Sequence, residues 1–385
     1  MAMRRMRSAS ASASISMPKK EGSGDAGEDA VYPSGQTSSI ERWGFISVKT
    51  RMTVINRFVS ADDNISTIRD QYPEGLHFVV GDVHGEARTL QNLMKKIAFD
   101  PEKDHIYFVG DYNAGGSPKA VLEYFSLYYQ EDFAKPGFHL IRGNHEWELG
   151  PIYPLENLPD ILVYRGEQMN YFIAHAGMVA SAFRLIAGDM EKNPEQELYA
   201  YKLDDACVRE DAPLRQIIWS RRGLYSQKSR WKMWPRTEDL FRYRACIIHG
   251  HTPYCYFMND RFGYGDYSLF WENQKIWFSE DLCSFDIDSN VKGRVECGET
   301  YRGLACVCLE ALDEISEANN GYLTISAIHS APNFVFSVPL EDQWYYENNG
   351  DISRVLEARP RMKRILLDWE ENPVLAEESE ETNQP

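Results

Sequence analysis

The sequence predicts two mixed β-sheets packed face to face with helices outside, a four-layer sandwich of the α+β or α/β class. Three observations predict it. Apolar runs at residues 76–80, 105–109, 138–141, 171–174 and 245–248 each stop at a loop that sets Asp, Asn or His beside glycine. Behind the first of these loops, Leu90, Leu93, Met94 and Ile97 recur at i, i+3, i+4 and i+7, the spacing of one helix face. Residues 282–288 and 303–309 alternate or run apolar, which suggests strands of a second sheet late in the chain.

Residues 1–38 are rich in Ser, Ala and Gly. The first twenty carry Arg4, Arg5, Arg7, Lys19 and Lys20 and no acid. The composition predicts a disordered tail, with an organellar transit peptide as the alternative. The domain is expected over residues 41–340. Its lead-in holds Trp43, Phe45, Ile46 and Val48, then a strand or short helix within 52–59. Residues 76–150 read strand, helix, strand, helix, strand, with a site loop at each strand end. Residues 181–216 carry helical patches (Phe183, Leu185, Ile186; then Leu198, Tyr199, Tyr201, Leu203) and are expected to cover the site. Residues 253–285 form an aromatic insertion for which packing is the default reading. Residues 341–385 are a C-terminal extension with a basic stretch at 361–367 and an acidic, disordered end at 370–381.

A chain of 385 residues with 43% hydrophobic and 13% aromatic content can bury a sizeable core. Its net charge of −17 argues against a partner recognised through a phosphate backbone, so no nucleic-acid duplex is expected. No run of 18 apolar residues occurs, so no membrane partner is expected. The seven cysteines are scattered without a C-x-x-C pair, which fits a reducing compartment. The cytoplasm is the expected location, and an organelle the alternative.

The loop residues carry the chemistry. Gly81-Asp82-Val83-His84-Gly85, Gly110-Asp111, Arg142-Gly143-Asn144-His145-Glu146, His175-Ala176-Gly177 and His249-Gly250-His251-Thr252 supply carboxylate, amide oxygen and imidazole. That donor set suits two adjacent divalent cations. A solvated turn would explain any one of these loops; five in series at strand ends are poorly explained that way.

The series GDVHG, GDY, RGNHE, HAG, GHT resembles the calcineurin-like metallophosphoesterases over about residues 75–255. It looks most like their phosphoprotein phosphatase branch, which includes bacterial protein phosphatases and dinucleoside tetraphosphatases. The resemblance implies that Asp82, His84 and Asp111 hold one metal, and that Asp111 bridges to a second held by Asn144, His175 and His251. His249 is then second to the site or buried packing. The implied cofactor is two divalent ions, manganese first, with iron or zinc as alternatives. They would activate a bridging water for in-line attack on phosphate. Arg142 would bind phosphate oxygens, His145 would protonate the leaving oxygen, and Glu146 would be a structural partner at the turn. Ile217-Ile218-Trp219-Ser220-Arg221 resembles the Trp-Ser-Arg segment of bacterial members and makes Arg221 a second phosphate ligand. Residues 324–334 resemble a closing strand of the eukaryotic members.

The second loop departs from the family pattern Gly-Asp-x-Val-Asp-Arg-Gly. Here it reads Gly110-Asp111-Tyr112-Asn113-Ala114-Gly115-Gly116. Aligned without a gap, Ala114 replaces the acid that orients the catalytic His and Gly115 replaces the Arg. With one residue deleted, Asn113 takes the acid's place and Ala114 the arginine's. Both alignments lose the Arg. Asn113 is therefore a candidate catalytic residue beside His145. The implied function is a dimetal phosphoester hydrolase resembling serine/threonine protein phosphatases, acting on a phosphorylated substrate. One alternative is a tetraphosphatase-like pyrophosphohydrolase; another is a catalytically weak module that binds phosphorylated ligands.

Overall fold

The computed structural model describes residues 14–15, 53–55, 65–112, 115–149, 157–203, 217–219, 234–253, 268–271, 276–279, 282–291, 302–317, 321–324, 327–328 and 334–340. The chain starts with β1 (Ser14–Ile15), β2 (Thr53–Ile55), α1 (Ile65–Gln71), β3 (His77–Val80), α2 (Ala87–Lys96), β4 (His105–Phe108), α3 (Pro118–Ser126), β5 (Gly137–Leu140) and α4 (Asn144–Leu149). It continues through β6 (Ile161–Arg165), β7 (Asn170–Ala174), α5 (Ala180–Lys192), β8 (Leu198–Leu203), α6 (Thr237–Arg242) and β9 (Ala245–His249). Then follow β10 (Ser268–Trp271), β11 (Ile276–Ser279), β12 (Ser284–Asp286), β13 (Gly303–Cys308), α7 (Leu309–Glu317) and β14 (Val335–Pro339).

The strands form two mixed sheets. One has five strands in the order β14-β13-β3-β4-β5, and the other nine in the order β1-β8-β6-β7-β9-β12-β11-β10-β2. In the first sheet β3, β4 and β5 are parallel, and β13 runs antiparallel to β3 and to β14. In the second, β7, β9 and β12 are parallel. Parallel neighbours need crossovers, which are α2 and α3 in the first sheet and, between β7 and β9 of the second, include α5 and α6.

Side-chain alternation explains the layers. Tyr171 and Ile173 of β7 and Cys246 and Ile248 of β9 join the large core that also holds Phe78, Val80, Ile106 and Phe108. Their neighbours Phe172, Ala174, Ala245 and Ile247 face the other way, onto Ala182, Phe183, Ile186 and Ala187 of α5. The face of α2 that is buried carries Ala87, Thr89, Leu90, Leu93 and Met94, as its period requires. Each fully buried Leu or Phe removed from water contributes about 1.5–3 kcal/mol. Cys246, Cys283, Cys306 and Cys308 are buried. Among the described residues, no helix is long and apolar enough to cross a membrane.

Several expectations need correction. Residues 198–203 do not belong to a helical cover: they form β8, paired antiparallel to β6. Tyr199, Tyr201 and Leu203 are buried in alternation, and that period of two is a strand's. The helix of this region is Ala180–Lys192, and residues 204–216 lie outside the described residues. The strand β13 joins β3 in the first sheet rather than a separate late sheet, whereas β12 joins β9 in the second. The closing strand is Val335–Pro339, just beyond the segment 324–334. Within the expected tail 1–38, Ser14–Ile15 pair in parallel with Lys202 and Leu203. The rest of that tail, much of the aromatic insertion and the whole extension 341–385 lie outside the described residues.

Candidate active site

The loops that follow β3, β4, β5, β7 and β9 meet at one edge of the two sheets, as strand ends of α/β proteins do. Backbone bonds lock them together. The His84 N–H donates to the Asp111 carbonyl at 2.8 Å, Gly85 N–H to Tyr112 at 3.0 Å, and Gly250 N–H to His175 at 2.8 Å. The Tyr112 hydroxyl, fully buried, donates toward the carbonyls of Phe108 and Ile141 and accepts from the Ile141 N–H. Three loop residues sit in the left-handed region: His84 at φ 46°, Asp111 at 57° and His251 at 69°. Non-glycine residues held there cost on the order of 1–3 kcal/mol each and mark sites where geometry is imposed.

Asp82, His84, Asp111, Asn144, His175 and His251 are all buried, and the loops bring them together. Asp111 stands in the middle with its two oxygens turned to different partners. Oδ1 is 3.3 Å from His175 Nε2, while Oδ2 is 3.8 Å from His84 Nε2 and 3.7 Å from His145 Nε2. Two groups of donor atoms share it: His84, Asp111 and His145 on one side, Asp111, His175 and His251 on the other. Asp82 completes the first side, 3.7 Å from His84, and its oxygens accept the His251 N–H.

The donor chemistry fits cations. His175 Nδ1 lies 2.9 Å from the Val109 carbonyl, which only accepts, so the proton of the neutral ring is on Nδ1. Nε2 is then a lone pair, yet it faces Asn144 Oδ1 at 3.0 Å, His251 Nδ1 at 3.1 Å and Asp111 Oδ1 at 3.3 Å. Oxygens of Asn144 and Asp111 converging on a lone pair are what a divalent ion between them reconciles. A backbone carbonyl behind a ligating histidine is the usual orienting partner. On the other side, burial and then the charges of Asp288 and Asp111 push the Asp82 carboxyl well above its ordinary range. Negative charge is concentrated where positive charge would neutralise it.

Residues 78–255 match the family model for calcineurin-like phosphoesterases. The chain contains a calcineurin-like phosphoesterase domain. Two relatives are symmetrical bis(5'-nucleosyl)-tetraphosphatases. That of Shewanella frigidimarina is 30% identical over 154 residues, covering 34% of this chain and 53% of the relative. That of Serratia proteamaculans is 26% identical over 156 residues, covering 33% and 53%. The chain thus spans about half the length of the curated relatives it matches. A solved protein serine/threonine phosphatase from Saccharomyces cerevisiae aligns at 15% identity with a TM-score of 0.36, over 62% of this chain and 74% of its own.

Beyond the six candidate ligands, the phosphoesterase domain treats the other expected site residues differently. Glu146 ties two loops: its carboxylate accepts the N–H groups of Asp111, Tyr112 and Gly143 at 2.8, 2.8 and 3.0 Å. Burial and then Asp111 push its pKa up to about 7, against the pull of those three donors. His145 is 21% exposed, and its ring lies between Asp111 and Glu148. Arg142 is held in forked geometry by the buried Asp160. His249 is buried, 3.5 Å from Asp286, and is not in either ligand group. Asn113 and Arg221 lie outside the described residues.

Three further residues at the site were missed in the sequence: Asp160, Asp288 and Glu148. Asp288 left a signal, since Asp286 and Asp288 interrupt an apolar strand where acids need a reason. Asp160, between Pro159 and a strand, left none. Glu148 was legible only as the residue three beyond His145 on a helix.

Proposed function

We propose that the domain is a dimetal phosphohydrolase with manganese as the first candidate ion. Asp82, His84 and Asp111 would hold one ion and Asp111, Asn144, His175 and His251 the other. The observation that carries this reading is the convergence of Asn144, His251 and Asp111 on His175 Nε2, with Asp111 turned to both sides. When bound, two such ions supply charge neutralisation and an activated water. The protein's own residues do the rest. The bonds among the loops hold the ligands preorganised, and Asp160 sets the plane in which Arg142 meets phosphate oxygens. His145 delivers a proton to the departing oxygen as the phosphorus–oxygen bond breaks.

The substrate class proposed is a dinucleoside polyphosphate. The relatives' names support it. So does the second loop, which has no acid beyond Asp111: a phosphoanhydride leaving group needs little protonation. A second reading, hydrolysis of phosphoserine and phosphothreonine, is favoured by the carboxylate of Glu148 near His145.

Metal analysis followed by a substrate panel tests both. Full-length protein reloaded with Mn²⁺ is expected to bind two ions per chain, and Asp111→Ala to lose at least one. Diadenosine tetraphosphate is expected to be cleaved faster than a phosphoserine or phosphotyrosine peptide. No metal bound at low micromolar Mn²⁺ overturns the reading. Metal and ligand bound without turnover leaves a binding module in its place.

A further inference from the structure

The second loop lacks the acid that would orient the general acid, yet His145 is not left to rotate. Its ring meets His84 edge-on, with centroids 5.6 Å apart. Its Nε2 lies 3.7 Å from Asp111 Oδ2, on the side of the ligand cluster. Its Nδ1 lies 3.8 Å from Glu148 Oε2, one turn along α4. Each ring nitrogen thus has its own carboxylate. Glu146, the other acid on this helix, is turned away onto the N–H groups of Asp111, Tyr112 and Gly143.

We infer that Glu148 is a positioning residue for His145, supplying from the same helix a carboxylate that the second loop does not carry. The inference rests on the phosphohydrolase reading above, in which His145 protonates the leaving oxygen. A carboxylate accepting from Nδ1–H fixes both the rotation of an imidazole and its tautomer, and aims Nε2 at the reacting group. The 3.8 Å separation is longer than a hydrogen bond, but the Glu148 side chain is 48% exposed and has three rotatable bonds, so it closes the gap without backbone movement. The i,i+3 spacing places the two side chains on one helix face. An exposed pair of this kind adds little to stability, so its role is in aim rather than in holding the fold.

The consequence is specific to leaving groups. An anhydride or activated aryl ester leaves without much proton help, whereas an alkyl ester depends on it. Losing a well-aimed acid costs typically about 10²–10⁴-fold in such a step, and losing only its aim costs less than losing the acid itself. Glu148 therefore keeps alkyl phosphoesters within reach of a site whose second loop disfavours them.

Two measurements on the full chain test this. In metal-free protein carrying ¹⁵N-histidine at pH 8, the His145 ring signals are identified by their loss in His145→Ala. Wild type and Glu148→Gln are expected to show the Nδ1–H tautomer, and Glu148→Ala a mixture or the Nε2–H form. With Mn²⁺ bound, Glu148→Ala is expected to lower kcat on a phosphoserine peptide about tenfold or more. KM should stay within about twofold, and the loss on p-nitrophenyl phosphate should be under about threefold. Glu148→Gln should fall between. An unchanged tautomer in Glu148→Ala, or a loss equal across leaving groups, overturns the inference. If His145→Ala has no effect on any substrate, it is the phosphohydrolase role of His145 that fails, and Glu148 is then judged on the tautomer alone.

Discussion

Asp160 grips Arg142 with two parallel hydrogen bonds, Nε to Oδ1 at 2.7 Å and Nη2 to Oδ2 at 3.1 Å. The carboxylate is fully buried and the arginine side chain only 12% exposed. Asp160 Oδ2 also accepts the Leu203 N–H at 2.7 Å, so one acid joins a site loop to the end of β8. The pair fixes the direction in which the guanidinium points.

Removing one member of such a pair strands the other in a poorly solvated place. Asp160→Ala is expected to destabilise the protein by about 3–5 kcal/mol, read from urea unfolding, while Arg142→Lys, which keeps a charge but loses the fork, should cost less stability. Arg142→Lys should instead raise KM for phosphorylated substrates. An Asp160→Ala protein as stable as wild type would show that the pair is not a buried anchor.

Gly250 lies where Asp82 needs room. A Cβ at that position would run into the Asp82 carboxylate and the Val109 side chain. Gly250→Ala should therefore push Asp82 off its position without unfolding β9. Disturbing a metal ligand's support typically lowers affinity about 10–100-fold. Titration with Mn²⁺ is expected to show that loss, with the far-ultraviolet circular dichroism unchanged. Wild-type affinity in Gly250→Ala would mean that Asp82 is not a ligand.

Acid should weaken the fold through the opposite end of the first sheet. His139 Nε2 and His105 Nδ1 lie 3.1 Å apart, and His105 stacks on His77 at 4.7 Å. Burial, then the neighbouring imidazole, lowers His139 to about 3 and His105 to about 4. Asp104 opposes the shift at His105. Both folded values lie below the unfolded one near 6.5, so the unfolded chain binds more protons as pH falls. Stability is full above about pH 6.5 and declines from there down to the folded values, by on the order of 2 kcal/mol for His139 between pH 7 and 5. Urea unfolding of wild type and His139→Gln at pH 7.5 and 5 checks this, with the variant expected to lose less. An equal loss in both would assign the acid sensitivity elsewhere.

Much of the fold could be read from the chain. The strand runs that end in β3, β4, β5, β7 and β9 have the apolar content of strands buried on both faces, and their loops announce themselves by glycine beside Asp, Asn or His. Reading failed at β8 because Leu198, Tyr199, Tyr201 and Leu203 fit helical and strand periods over so short a stretch, and pairing with β6 decided between them. The partner sheet of β13 was likewise undetermined, since a strand's hydrophobic pattern says that it is buried and not which edge it joins.

The residues at the site divide in the same way. The sequence by itself determined the candidate donor set, because metal-binding chemistry restricts the side chains that can serve and glycine permits the turns beside them. It also determined that the second loop has no acid beyond Asp111. Only the tertiary structure decided that Asp111 turns one oxygen to each side, that Asp160 claims Arg142, and that Glu148 faces His145. Those facts depend on distances between side chains on separate loops or on the orientation of rings and carboxylates. Local sequence constrains neither: packing of the two sheets sets the loop-to-loop distances, and the side-chain torsions set the orientations.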